Sequence, residues 1–209
     1  MKKLVWCLAV VVAVSGCVTP GQRYAALKEE SLKARTLEEA VKASPLRKVR
    51  VGREIKTNLN KPDDILLTSD GASSDSYYVS YYQLYAFAVV AGKSYTLTVK
   101  SFCDCLGFQK LMPVPEAYVV DGEGRLISRV LQPVHQEGFN GGLEGTWGFT
   151  AEENGQYFLV LAANNSDPGQ VVGEVVGFVY NPISKTSNEL KLPLQSSTTG
   201  SMTFEINAF

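Results

Sequence analysis

Hydrophobic and polar positions divide the chain into three stretches of different period. Leu4 to Val14 is an unbroken apolar run, preceded by Met1-Lys2-Lys3 and followed by Ser15-Gly16. Eleven residues are too few to span a bilayer, which takes about 20. A basic start, a short apolar stretch and small residues before a cut describe a secretory signal peptide over residues 1–16. From Arg23 to Lys42 the composition turns to Ala, Leu, Glu and Lys, with Tyr24, Leu27 and Leu32 as a partial stripe. Thr36 and Glu39 stand at capping-box spacing, with Leu37, Ala40 and Val41 behind them, so one or two short helices are predicted, ending before Pro45. Residues 18–22 read as a polar leash.

Beyond Pro45 the period becomes two. Val49, Val51 and Ile55 suggest one strand and Ile65-Leu66-Leu67 another. Asp70 to Ser76 reads as a loop. Tyr81 to Val90 is aromatic and β-branched, Ala91-Gly92-Lys93 turns it, and Tyr95, Leu97 and Val99 alternate with Thr96, Thr98 and Lys100. Strict alternation predicts a strand with one face buried and one wet, as in antiparallel sheets. Ala117–Val120 and Leu126–Leu131 flank the hairpin signal Asp121-Gly122-Glu123-Gly124. Phe108 to Pro115 and Pro133 to Gly142 read as loops. Leu143–Phe149, Gln156–Leu161 after the Asn154-Gly155 turn, Val171–Tyr180 and Met202–Ile206 complete about nine strands. The fold class expected is mainly β: an antiparallel, jelly-roll-like β-sandwich over residues 46–209, preceded by a short helical region within a tether of residues 17–45.

Composition adds little to this picture. Apolar content of 45% and 18 glycines suit a turn-rich β protein. Net charge is −1, and loss of Lys2 and Lys3 with the signal leaves −3. No basic excess draws the chain to nucleic acid.

Val14-Ser15-Gly16-Cys17 resembles a bacterial lipobox. The resemblance implies that Cys17 is acylated, palmitate among its chains, and becomes the first residue of the mature protein. Two or more acyl chains anchor stably where one does not. Val18 after the cysteine, rather than aspartate, implies sorting to the outer membrane, with the domain facing the periplasm.

With Cys7 in the signal and Cys17 lipidated, Cys103 and Cys105 remain, in an oxidising compartment. A local structural disulfide, a redox-active pair, a metal pair, bridges to a partner and free thiols are all compatible with Cys-Asp-Cys, although the spacing lacks the four ligands of a zinc site. His135 is the sole histidine, and no Gly-x-Ser-x-Gly elbow accompanies it. It reads as a solvated loop residue. Asp121-Gly122-Glu123-Gly124 lacks the ligand positions of a calcium loop. No catalytic residue, metal or cofactor is assigned.

Tyr77, Tyr78, Tyr81, Tyr82 and Tyr85 crowd nine positions. Neighbouring strand residues face opposite ways, so Tyr81 and Tyr82 are both core only if the sheet is covered twice. An exposed set of Tyr77, Tyr78 and Tyr81, joined by Trp147 or Phe149, would suit a protein partner or a saccharide. Ordinary sandwich packing is the alternative.

Two further resemblances bear on function. Residues 87–99, 117–122 and 154–160 are similar to the strand–turn–strand steps of the β-sandwich domains at the C-termini of secreted peptidases. Residues 115–121, 155–161 and 197–206 resemble the maltose operon periplasmic protein family. The latter implies an envelope protein tied to carbohydrate uptake and not an enzyme. The expectation is a non-catalytic envelope lipoprotein binding a protein partner or saccharide. The alternatives are a structural subunit of a transport or secretion assembly, or a thiol-redox protein using Cys103 and Cys105.

Overall fold

In a computed structural model the described residues are 18–30, 34, 36–43, 47–60, 62–69, 77–104, 110–130, 135–137 and 142–209. The signal, Cys17 and Cys105 lie outside them. Two helices come first, α1 (Pro20–Glu29) and α2 (Leu37–Ala43). Strands follow in chain order: β1 (Arg47–Lys48), β2 (Ile55–Asn58), β3 (Asp64–Ser69), β4 (Tyr77–Val89), β5 (Ser94–Ser101), β6 (Lys110–Met112) and β7 (Pro115–Val120). The second half holds β8 (Leu126–Val130), β9 (His135–Glu137), β10 (Gly142–Thr150), β11 (Gly155–Ala163), β12 (Val171–Asn181), β13 (Thr186–Ser196) and β14 (Ser201–Ala208).

The protein is mainly β and its core is a sandwich. One sheet runs β1-β4-β11-β7-β8, with β3 also on β4; the facing sheet runs β2-β14-β5-β10-β9. Pairing between these strands is antiparallel except for two short parallel contacts, β1 with β4 and β6 with β13. Alternation fixes which side chains meet. Tyr85, Phe87, Leu159 and Leu161 from the first sheet close on Leu97, Phe149, Phe204 and Ile206 from the second. The rings pack tilted or stacked: Tyr85 and Phe204 centroids are 4.6 Å apart, and Tyr95 stacks on Phe149 at 5.3 Å, geometries that add to simple burial.

The first sheet is covered on both faces. Tyr82, Leu84, Tyr118, Val120, Phe158 and Val160 point away from the sandwich and pack beneath Leu37, Ala40 and Val41 of α2. Leu27 and Tyr24 of α1 close over Ile65 and Val79. Hence Tyr157 to Ala163 are buried without alternation, the pattern of a doubly covered strand. α2 therefore covers the outer face of the first sheet, and α1 the opposite face at its β3–β4 end.

Several expectations from the sequence are corrected. The stretch 18–22 is not a leash: α1 begins at Pro20, its N-terminus closed by a capping box of Thr19 and Gln22. Thr36 does cap α2, its hydroxyl accepting from the Glu39 amide at 3.1 Å. The predicted loops 108–115 and 133–142 contain the short strands β6 and β9, so His135 sits on a strand. β13 was not foreseen. With β6 and β12 it forms a third sheet, rooted on Met112, Leu143 and Leu194.

Candidate functional site

The residues singled out from the sequence occupy separate places. Tyr77 is 62% exposed at the start of β4. Tyr78 is buried, and its hydroxyl donates to both carboxylate oxygens of Glu116 at 2.8 Å. Tyr81 is half-buried and donates to Glu30 at 2.5 Å; burial first, and then Glu30, push its phenol up to about 12. Trp147 lies on the other sheet, on the inward face of β10, packed against the sandwich core. Its ring covers Gly145 so closely that a Cβ there would come within 1.7 Å of it. Tyr77 and Tyr81 share one face of β4, Tyr78 lies on the other and Trp147 on the opposite sheet, so the four form no single surface. Cys103 is half-buried among Met112, Leu143 and Leu194 and is disulfide-bonded; Cys105 lies outside the described residues.

Two polar clusters serve the fold. Glu116 is 0% exposed on the outer face of the first sheet. It accepts from Tyr78, from Tyr118 at 2.6 Å and from Arg129 at 3.1 Å, while Arg129 lies over the Tyr118 ring at 5.2 Å. Burial pushes the Glu116 carboxyl up, and those three hydrogen bonds pull against it. At one end of the sandwich the Tyr85 hydroxyl donates at 2.6 Å to Thr57 on the opposite sheet and at 2.6 Å to Gln83. Apart from Arg129, whose side chain is 19% exposed, neither cluster opens to solvent.

Two concavities do. A cavity of about 220 Å³ is lined by Asp121, Glu123, Arg125, Glu152 and Glu153. Asp121 is committed to the turn, its carboxylate accepting from the Glu123 and Arg125 amides at 2.9 Å and from the Arg125 side chain at 2.6 Å. Among the described residues no group of three or more His, Cys, Asp or Glu is arranged to hold a metal. A groove of about 600 Å³ runs along β2 and β14, lined by Lys56, Asn58, Phe102 and Met202.

The largest anomaly is the β12–β13 hairpin. Ten positions pair in antiparallel register, from Val171–Gln195 to Asn181–Thr186. β6 supports only Leu194 to Ser196. From Glu174 to Asn181 the arm therefore runs about 25 Å, at roughly 3.3 Å per residue, with no third strand among the described residues. An isolated two-stranded hairpin is marginal in water, and this one exposes apolar side chains. Phe178, Val179, Tyr180 and Leu190 are exposed, and Ile183 at the tip is 93% exposed. Residues 175–188 carry no acid and one base, Lys185. The two edges differ. β13 bears Pro193, Lys191 and Glu189, the devices that protect a free edge. β12 from Val175 to Tyr180 bears none. Sequence reading took Val171–Tyr180 as an ordinary strand and missed its partner; the signal available was a second apolar set at Leu190, Leu192 and Leu194.

No protein-family model matches the chain, and no curated protein matches it. The maltose operon resemblance thus remains an expectation from the sequence. Among solved structures, the chain is similar to the pre-peptidase C-terminal domain of a collagenase from Bacillus anthracis, at 9% identity and a TM-score of 0.34, over 78% of this chain and 95% of that one. It is also similar to periplasmic inhibitors of g-type lysozyme. The Salmonella Typhimurium protein has 11% identity and a TM-score of 0.29 over 77% and 97% of the two chains. The Aeromonas hydrophila protein has 12% and 0.26 over 77% and 96%. Likenesses this distant carry no argument about function.

Proposed function

We propose that this chain is a non-catalytic cell-envelope lipoprotein, tethered at the outer membrane through an acylated Cys17, whose β-sandwich presents the β12–β13 arm to a protein partner. The arm carries this reading. Its apolar side chains beyond Leu192 contribute nothing to the sandwich core, and contiguous exposed apolar surface marks an interaction site. The placement of the tether supports it. Two residues, Val18 and Thr19, separate Cys17 from Pro20, at most about 10 Å of chain. Pro20 in turn packs against the root of the arm, where a Cβ on Gly169 would lie 3.7 Å from its side chain. A domain held by so short a tether lies close to the bilayer, and the arm springs from its anchored end. A saccharide reading gains less support, because the tyrosines proposed to stack on sugars are dispersed or buried.

The experiment is in-cell photo-crosslinking of the full-length chain. A photoreactive residue at Val179 should give a discrete protein adduct, whereas the same residue at Thr146, exposed on the second sheet, should not. Equal labelling at both sites, or none at Val179, would refute the reading. Cys17→Ser tests the anchor separately: the domain should leave the membrane fraction.

A further inference from the structure

We infer that the groove along β2 and β14 is a binding site for a neutral saccharide, separate from the arm and from the tyrosines of β4. Thr203 is the observation that points to a ligand. Met202, Phe204 and Ile206 of β14 face the core, so alternation turns Thr203 to the outer face of the second sheet. There it stands in a row between Lys56 of β2 and Lys100 of β5. It is only 4% exposed and lines the groove, yet no hydrogen bond holds its hydroxyl among the described residues. A polar group so enclosed is ordinarily satisfied, and the groove is where a partner can reach this one.

The rest of the lining narrows the ligand class. Thr57 and Met202 form the floor, since both line the groove while Met202 packs in the core and the Thr57 hydroxyl accepts from Tyr85. The two residues pair with each other across the strands, so on this face an extended peptide finds no backbone to pair with. Asn58, Ser201 and Thr203 present an amide and two hydroxyls. Asn58 reaches Ser201 only at 3.5 Å, longer than the usual range of about 2.7–3.2 Å. Lys56 and Glu54 contribute one cation and one anion, and Lys100 beside them is held by Glu144 at 2.8 Å, so the groove does not select for charge. Phe102 is 43% exposed and joins none of the buried clusters. Its amide donates to the Ser201 carbonyl at 3.0 Å, which holds the residue beside the polar bank. One aromatic face next to hydroxyl and amide groups suits a ligand with an apolar face and a hydroxyl rim, and a pyranose ring has both. An acyl chain would bury those polar groups without partners, and a polyanion would meet Glu54. The volume, about 600 Å³, lies within the range of about 300–1,000 Å³ of ligand pockets.

The test uses the full-length chain in a detergent without a sugar headgroup, titrated by calorimetry with neutral malto-, cello-, xylo- and chito-oligosaccharides. At least one series should bind saturably, at one site per chain. Phe102→Ala should raise the dissociation constant about tenfold through lost stacking and burial, while Phe102→Trp, which keeps a ring, should retain binding. Thr203→Val has the same shape without the hydroxyl and should raise it by about two- to tenfold, the range of one lost hydrogen bond. Tyr77→Ala, on the other sheet, should bind as wild type does. The Phe102 variants should keep the wild-type unfolding temperature, because the ring belongs to no buried cluster. No saturable binding by any series would overturn the site, as would binding that Phe102→Ala leaves unchanged. If the sugars fail while an apolar dye binds in a Phe102-dependent way, the groove takes an apolar ligand and the saccharide is refuted. The Val179 photo-adduct reads the arm alone, so either reading can fail without the other.

Discussion

Removing Arg129 tests whether the outer face of the first sheet depends on one satisfied carboxylate. Glu116 is wholly enclosed and accepts from three donors, two phenols and a guanidinium. In Arg129→Met the stem still packs while the charge is lost. Stripping the partner from a buried ion costs about 3–5 kcal/mol. At roughly 2–4 °C per kcal/mol for a domain of this size, the unfolding temperature should fall by about 6–20 °C at neutral pH. Tyr78→Phe, which removes one hydrogen bond to the same carboxylate, should cost less, about 1.5–3 kcal/mol. The assay is thermal unfolding followed by circular dichroism between pH 4 and pH 7. The sign of the pH dependence follows from burial, which raises the folded carboxyl above its ordinary value of 4.5. The folded state then holds that proton more tightly than the unfolded chain, so its contribution to stability is complete below 4.5 and is lost as pH rises through the folded value. Arg129→Met should therefore be closest to wild type at pH 4 and furthest at pH 7, and Glu116→Gln in the same background should flatten the difference. A drop below about 2 °C at pH 7, or a slope indifferent to Glu116→Gln, would refute the account.

Tyr85→Phe should lower stability by about 1 kcal/mol, seen as a shifted urea midpoint, because the hydroxyl that links Thr57 on β2 to Gln83 on β4 is lost while the ring stays against Phe204; an unchanged midpoint would show that this link adds nothing. Gly145→Ala drives a methyl into the Trp147 ring. Trp147 is the one tryptophan outside residues 1–16, so the processed chain should show a red-shifted emission and a lower unfolding temperature, and an unaltered spectrum would mean that the ring does not rest on Gly145.

The parts of the fold legible in the sequence are those where one physical demand sets every residue. β5 alternates because one face meets the core and the other water, and its burial follows the alternation from Tyr95 to Ser101. The Thr36 cap was legible for the same local reason, and Thr19-Pro20 with Gln22 three residues after Thr19 was an equally local signal that went unread. The tyrosine cluster was undecidable from β4 alone. Tyr81 and Tyr82 are both withdrawn from water only because α1 and α2 lie on opposite faces of β4, and that covering is a tertiary fact. The continuous apolar run Tyr157–Ala163, which has no wet face, was its one trace in the sequence. β13 escaped for the opposite reason. Most of its length has no buried face, so Thr186 to Pro193 carries no period for the core to impose, and Pro193 argued against a strand. β12 opposite it is apolar, yet beyond Val175 its exposed side chains join none of the buried clusters of the described residues. A strand whose side chains are not explained by its own fold is explained by what covers it. On that ground the hairpin, rather than the aromatic cluster that stood out in the sequence, is the place to look for function.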